Sequence, residues 1–128
     1  MTQNILLVDD DPDFRQKMKQ YLQDAGYSVA EAEGEKQAFE ISRKTKFDIA
    51  VVDLILENSD SGFTLSHHFK KDYPNMPIVM LSSSVIDFGI EFSLGSIVEH
   101  SWIQADMLLN KPIRSEQLLQ AVRQLLPQ

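Results

Sequence analysis

The 128-residue sequence predicts one α/β domain, residues 1–128, in which a doubly wound five-stranded parallel sheet carries helices on both faces. Short apolar runs recur along the chain and each ends at polar residues, as strands buried on both faces of a parallel sheet do. Segments with apolar residues at helical spacing lie between these runs, and repeated strand and helix units favour right-handed crossovers. The hydrophobic fraction of 43% is enough to fill one core.

The first strand and helix are marked by clear boundary residues. Residues 5–8 form an apolar run that stops at three aspartates. Asp11 followed by Pro12 is typical of an N-cap and a first helical position. The sequence therefore predicts a helix over residues 12–25, ended by Gly26.

The next elements continue the alternation. Residues 27–32 alternate apolar with small or polar residues, as a strand near a sheet edge does, and a helix is expected after Gly34. The β-branched run at residues 47–52 predicts a third strand, which ends at Asp53. A polar loop is expected to continue through Gly62.

The second half supplies the remaining elements. Helices are predicted over residues 63–72 and 114–126, and strands over residues 77–81 and 107–110. Residues 85–105 have a period-two pattern that favours an extended segment, although the fold requires a helix there. We expect the helical part to lie within residues 97–103.

Composition excludes several functions. The 12 Lys and Arg against 19 Asp and Glu give a formal net charge of -7, which argues against direct nucleic-acid binding. The absence of Cys excludes disulfides and zinc–thiolate sites and suits a reducing cytoplasm. No signal peptide or membrane-spanning run is evident, so we expect a cytoplasmic protein that makes no membrane contact.

Polar residues with related chemistry follow the predicted strands. Asp9 and Asp10 follow the first strand, Asp53 the third, Ser82 the fourth and Lys111 the fifth. In an open doubly wound sheet the functional crevice lies at the carboxyl ends of the strands, where strand order reverses. A strand order of 2-1-3-4-5 would therefore bring the aspartates together.

A phosphoryl pocket that holds a hard cation fits these residues. Adjacent carboxylates repel one another or take up protons unless a cation neutralises them. Oxygen ligands together with water and a phosphoryl oxygen suit Mg²⁺ better than Ca²⁺. Lys111 would supply a positive charge and Ser82 a hydroxyl donor to the anionic oxygens. A carboxylate nucleophile completes such a pocket.

At this point the sequence resembles bacterial response-regulator receiver domains over almost its whole length. The resemblance is carried, in order, by ILLVDDDP from Ile5, DIAVVDL from Asp48, PIVMLSS from Pro77 and NKP from Asn110. It implies a flavodoxin-like sheet and a phosphoryl donor that is a sensor histidine kinase or phosphotransfer protein. It also implies a downstream protein or output domain as partner. The implied role is signalling, and the receiver itself would be its only substrate.

The resemblance implies roles by position for the acidic residues. Asp53 would be the phosphoacceptor and Asp10 a direct Mg²⁺ ligand. Asp9 would be an acidic neighbour that acts partly through water, and the backbone carbonyl of Ile55 would be a further metal ligand.

The remaining roles concern the fourth and fifth strands. Ser82 would be the switch hydroxyl that turns toward the phosphoryl group. Lys111 would be the phosphate-pairing lysine, followed by a cis bond to Pro112. The receiver would catalyse its own phosphorylation and dephosphorylation.

Three departures from the family pattern concern signalling. The loop between Asp53 and Gly62 lacks the usual proline and is one residue longer, and the segment between Ser82 and Lys111 is longer than usual. Leu108 stands where many relatives have an aromatic switch residue. A degenerate receiver that acts as a phosphorylation-independent binding module is therefore the second hypothesis, and a Mg²⁺-dependent phosphatase or transferase is the third.

Simpler interpretations exist for several residues. Asp9, Asp10 and Asp11 could form a solvated loop, although their coincidence with Asp53 and Lys111 argues against it, and Asp11 is better explained as a helix cap. The serines after the fourth strand, Ser83 and Ser84, also have two interpretations. We expect the histidines, which are His67, His68 and His100, at the surface. The aromatic residues of the ambiguous segment are core or partner contacts, and these are Phe88, Phe92 and Trp102.

Overall fold

The computed structural model describes residues 2–54, 61–82 and 105–126. Their strands form one parallel sheet in the order β2-β1-β3-β4-β5, which confirms the predicted fold class. In chain order the elements are β1 (Asn4–Val8), α1 (Pro12–Asp24), β2 (Ser28–Ala32), α2 (Glu35–Lys44), β3 (Ile49–Asp53), α3 (Ser61–Asp72), β4 (Ile78–Ser82), β5 (Met107–Asn110) and α4 (Ser115–Leu125).

Strand register aligns the carboxyl ends of the central strands. Val8 at the end of β1 pairs with Val52 of β3, and Asp53 pairs with Leu81 of β4. Ser82 then pairs with Asn110 at the end of β5. The residues that close these strands and those that follow them therefore meet at one edge of the sheet.

Alternate residues of each strand fill two hydrophobic layers. On β1, Ile5 and Leu7 pack with residues of α1 and α4, whereas Leu6 and Val8 pack with residues of α2 and α3. This arrangement places helices on both faces of the sheet, because successive side chains of a strand point to opposite faces. The near-continuous apolar strands of the sequence follow from burial on both sides.

Helix α1 begins at the predicted residue and ends at Asp24, one residue before the predicted end. The Asp11 side chain accepts hydrogen bonds from the backbone N–H groups of Asp13 and Phe14, which confirms Asp11 as the N-cap. Gly26 follows the helix with a φ of 103°, a left-handed conformation that favours glycine.

The start of α3 corrects the sequence prediction. The helix begins at Ser61, so Ser61 and Gly62 belong to its first turn rather than to a loop. A Cβ atom on Gly62 would overlap the backbone carbonyl oxygens of Asp53 and Leu54. Glycine is therefore required here by the close approach of the helix to the end of β3, and not by a turn.

Part of the predicted second half lies outside the described residues. This applies to the alternating segment up to residue 104 and to the helix expected at residues 97–103. Within the described ranges, none of the helices combines the length and the apolar character needed to cross a bilayer.

Candidate functional site

An acidic cluster occupies the carboxyl edge of the sheet between β1 and β3. Asp9, Asp10 and Asp53 each contribute one carboxylate oxygen, and these oxygens all lie within 4.8 Å of one another. Asp9 is 0% exposed and Asp53 is 4% exposed, whereas Asp10 faces solvent. The structure therefore brings together the three aspartates that the sequence singled out, with two of them in the interior.

Lys111 connects the two buried aspartates. Its Nζ atom lies 2.8 Å from Asp9 Oδ2 and 3.0 Å from Asp53 Oδ2. The Lys111 backbone N–H donates to the carbonyl of Ser82 at 2.7 Å, which ties the residue after β5 to the end of β4. The peptide bond from Lys111 to Pro112 is cis, as predicted.

The electrostatic environment keeps Lys111 charged. Burial lowers the pKa of Lys111, but hydrogen bonds and Coulombic attraction from Asp9 and Asp53 outweigh burial, so that the pKa lies above its usual value of 10.5. The Lys111 ammonium also lies 4.4 Å from the centre of the Phe14 ring, a favourable cation–π position. The lysine is thus a fixed positive charge at the centre of the site.

Asp9 is held through its backbone as well as through its side chain. Its N–H donates to Ala32 O at 3.1 Å, and its carbonyl oxygen accepts from Arg15 Nη1 at 2.7 Å. Its Oδ1 atom accepts from the Asp11 N–H at 2.9 Å, while Oδ2 bonds Lys111. Each polar atom of this buried residue therefore has a partner, as buried polar groups require.

Ser82 differs from its neighbours in the site. The residue is 1% exposed at the end of β4, and its Oγ atom is the one buried side-chain polar atom within the described ranges that has no hydrogen-bond partner. A buried hydroxyl without a partner is costly, and such groups in native proteins commonly have a functional explanation. Ser82 therefore has a donor available at the same edge as Lys111.

The donor set fits a hard divalent cation. All the clustered ligand atoms are carboxylate oxygens, which Mg²⁺ and Ca²⁺ prefer. Lys111 compensates only part of the negative charge of three aspartates, so a further cation would be favoured. The cluster is compatible with Mg²⁺ on these grounds.

A model of the response regulator receiver domain family matches residues 5–123. The chain belongs to the response-regulator receiver family. Transcriptional regulatory protein RprY of Bacteroides fragilis is 30% identical to this receiver over 114 residues, which is 89% of this chain and 45% of RprY. Regulatory protein VanR of Enterococcus faecium is 29% identical over 123 residues, which is 96% of this chain and 49% of VanR.

A solved structure supports the same assignment. Chemotaxis protein CheY4 of Vibrio cholerae superimposes with a TM-score of 0.80 at 29% identity, with 98% of this chain and 100% of CheY4 covered. This receiver spans about half the length of the curated relatives it matches, with 45%, 52% and 43% of three of them covered. The chain is accordingly a signalling receiver domain of two-component response regulators.

Other predicted residues have varied positions in the receiver. Ile55 lies outside the described residues, as do Ser83 and Ser84. Leu108 is 5% exposed on β5 and pairs with Met80, so it belongs to the buried sheet. His67 and His68 are exposed on α3, as expected, whereas His100 and the aromatic residues of the ambiguous segment also fall outside the described ranges.

Sequence analysis did not identify Arg15 and Phe14 as neighbours of the site. Both lie on the first turns of α1, and both contact residues of the site directly. The sequence signal is limited to their position: the first turn of a helix that follows β1 must lie beside the end of that strand, but the spacing does not say which side chains of that turn face the site.

Proposed function

We propose that this receiver accepts a phosphoryl group on Asp53 from a phosphohistidine of a sensor histidine kinase or phosphotransfer protein. The observation that carries the proposal is the position of the Asp53 carboxylate. It lies at the end of β3, within 4.8 Å of the Asp9 and Asp10 carboxylates and 3.0 Å from Lys111 Nζ. An anionic nucleophile next to a fixed cation is suited to phosphoryl transfer.

The proposed transfer exchanges one bond to phosphorus for another. A carboxylate oxygen of Asp53 attacks phosphorus, the P–N bond of the donor phosphohistidine breaks, and the released imidazole nitrogen takes up a proton. The product is an acyl phosphate on Asp53. Lys111 would pair with one phosphoryl oxygen, and the free Ser82 hydroxyl would donate to another. Hydrolysis removes the phosphoryl group: water attacks phosphorus, the bond between phosphorus and the Asp53 oxygen breaks, and inorganic phosphate leaves while the carboxylate is restored.

Asp9, Asp10, Asp53 and the backbone carbonyl of Ile55 would hold Mg²⁺ when it is bound. The metal would supply positive charge that neutralises the carboxylates and the phosphoryl oxygens. Buried Asp9 is already fixed by four hydrogen bonds, so it would act chiefly as an ordered acidic neighbour, partly through water. Exposed Asp10 is accessible as a direct ligand.

The wider role rests on the family. We propose that residues 1–128 form a single receiver domain that works in the cytoplasm, catalyses only its own phosphorylation and dephosphorylation, and controls a downstream protein or output domain. Its formal charge of -7 favours a protein partner over direct contact with nucleic acid.

Intact mass after incubation with acetyl phosphate and Mg²⁺ tests the proposal. The native chain should gain one phosphoryl group, whereas Asp53→Asn and a chelator-treated sample should gain none. Asp24→Asn is a matched control, because Asp24 is an exposed aspartate that contacts Gln20 at the end of α1 opposite the turn that contacts the site. It should be modified like the native chain.

The alternative hypotheses predict other results. A folded native chain that forms no adduct would favour a degenerate receiver that binds its partner independently of phosphorylation. Continuous turnover of small phosphoesters would favour a phosphatase or transferase.

A further inference from the structure

We infer that Arg15 is a positioning residue for the acidic cluster, because it holds the peptide that joins Asp9 to Asp10. This inference rests on the proposed Mg²⁺-dependent function of that cluster. It concerns a residue of α1 that is neither a ligand nor a phosphoryl contact in the proposal above.

The Arg15 side chain bridges β2 and the residue that follows β1. Its Nη1 atom donates to the Asp9 carbonyl oxygen at 2.7 Å, and its Nε atom donates to Glu31 Oε1 at 3.0 Å. Glu31 lies on β2, directly beside Leu7 of β1. The planar guanidinium thus connects the edge strand to the residue that follows β1, and its side chain is only 15% exposed.

The contact acts on Asp10 through covalent geometry. The carbonyl of Asp9 and the N–H of Asp10 belong to one planar peptide unit. A hydrogen bond that fixes the carbonyl oxygen therefore limits the rotation of that plane, and with it the direction in which the exposed Asp10 leaves the strand. The backbone bond from Asp9 N–H to Ala32 O fixes the preceding peptide in the same way.

Glu31 in turn holds the guanidinium in place. It accepts from Arg15 and also from Lys19 Nζ at 2.8 Å, so that two residues of α1 are bound to one carboxylate of β2. Lys19 pairs with Glu31 and is not among the hydrogen-bond partners of Asp9 in the described part of the chain, which makes it a matched control for the charge and the ion pair.

Charge and position predict opposite results for Arg15. Removal of a positive charge beside an acidic metal site should strengthen Mg²⁺ binding through Coulombic attraction. Loss of an ordering hydrogen bond should weaken it, and partners that orient metal ligands typically contribute a factor of about 10 or more to metal affinity. The sign of the change therefore separates the two effects.

The experiment is Mg²⁺ titration of the full chain by isothermal calorimetry, at a temperature where thermal melts show each variant folded. We expect Arg15→Ala to weaken Mg²⁺ binding by about tenfold. Arg15→Lys should also weaken it, because lysine keeps the charge without the planar guanidinium. Lys19→Met should change the dissociation constant by less than about twofold, since the Arg15 bond to Asp9 is retained.

Each outcome decides the question. Unchanged or tighter Mg²⁺ binding in Arg15→Ala, or an equal loss in Lys19→Met, would overturn the positioning role while the proposed function stands. If the native chain itself binds no Mg²⁺, the proposed function fails and this inference fails with it. Should Arg15→Ala not fold, Arg15→Lys decides alone, and native-like affinity in that variant would refute the inference.

Discussion

Replacement of Ser82 by alanine is expected to stabilise this receiver, in contrast to most substitutions of buried residues. The Ser82 Oγ atom is buried and has no hydrogen-bond partner among the residues that the structure describes, so its loss removes a desolvated hydroxyl that costs about 1–3 kcal/mol. The small void left behind costs about 1 kcal/mol. The difference predicts a gain of about 1 kcal/mol in the free energy of unfolding of Ser82→Ala.

Urea denaturation measures this gain. A stabilisation of about 1 kcal/mol corresponds to an increase of about 3–5 °C in the melting temperature of a domain of this size. The urea midpoint should rise without a change in the m-value. Ser42→Ala is the control, because the buried Ser42 hydroxyl donates to the Phe39 carbonyl at 3.0 Å. Its hydrogen bond, about 1 kcal/mol, outweighs the helix-propensity gain of about 0.5 kcal/mol, so no stabilisation is expected.

Phosphorylation should reduce the difference in melting temperature between Ser82→Ala and the native chain. In the native chain the phosphoryl group would give Ser82 its missing partner, so acetyl phosphate with Mg²⁺ should raise the melting temperature more in the native chain than in Ser82→Ala. A lower urea midpoint for Ser82→Ala without phosphate would refute the reasoning, since it would mean that the hydroxyl already contributes a favourable interaction in this state.

Three further predictions concern the surroundings of the site. Gly62→Ala should lower the free energy of unfolding by about 1–3 kcal/mol and slow phosphorylation, because the added Cβ would displace the backbone of Asp53. The control Gly26→Ala should lower the free energy of unfolding in urea by about 1 kcal/mol and leave phosphorylation normal. The pKa of Glu31 lies below 4.5 chiefly because its carboxylate accepts a hydrogen bond from Lys19. Glu31→Gln should therefore lower the free energy of unfolding by about 1 kcal/mol at neutral pH, and this loss should persist down to pH 4.5 and disappear as the pH falls through the lower pKa of the folded state. A difference in urea midpoint that does not depend on pH would contradict this. Lys111→Met should lower the unfolding free energy by about 3 kcal/mol, and Mg²⁺ should restore part of it in thermal melts; a native melting temperature would show that the ion pairs contribute nothing.

The convergence of the site could be predicted because a parallel sheet has one carboxyl edge. Asp9, Asp53 and Lys111 are far apart in the chain, but each follows or ends a strand that the sequence predicts. Once the strand order is known, it is sufficient to predict that these side chains lie within contact distance.

Contacts from helix α1 could not be predicted in the same way. The rotation of α1 about its axis is set by how Met18 and Leu22 pack on the sheet, and this packing decides which residues of the first turns face the site. Arg15 at a helical position is equally compatible with solvent. Only the folded structure shows that its guanidinium reaches the Asp9 carbonyl.

The beginning of α3 was mispredicted for a related reason. Local propensity assigns Ser61 and Gly62 to a loop, because glycine is a poor helix former. In the structure the first turn of α3 lies so close to the backbone of Asp53 that a side chain at position 62 would not fit. A tertiary contact therefore overrides the local preference, and the glycine that suggested a loop lies against the backbone of Asp53 and Leu54.

Among the described residues of the site, Lys111 is paired with carboxylates and the Ser82 hydroxyl has no partner, and this asymmetry indicates where switching energy would come from. Lys111 already bonds Asp53, so a phosphoryl group there would exchange one anionic partner of the lysine for another, with a small net change. Ser82 Oγ has no hydrogen bond to a described residue that it would have to give up, so a bond to the phosphoryl group would be a net gain. Because a ligand shifts a conformational equilibrium only by its difference in interaction between two states, we expect phosphorylation to bias this receiver through the end of β4.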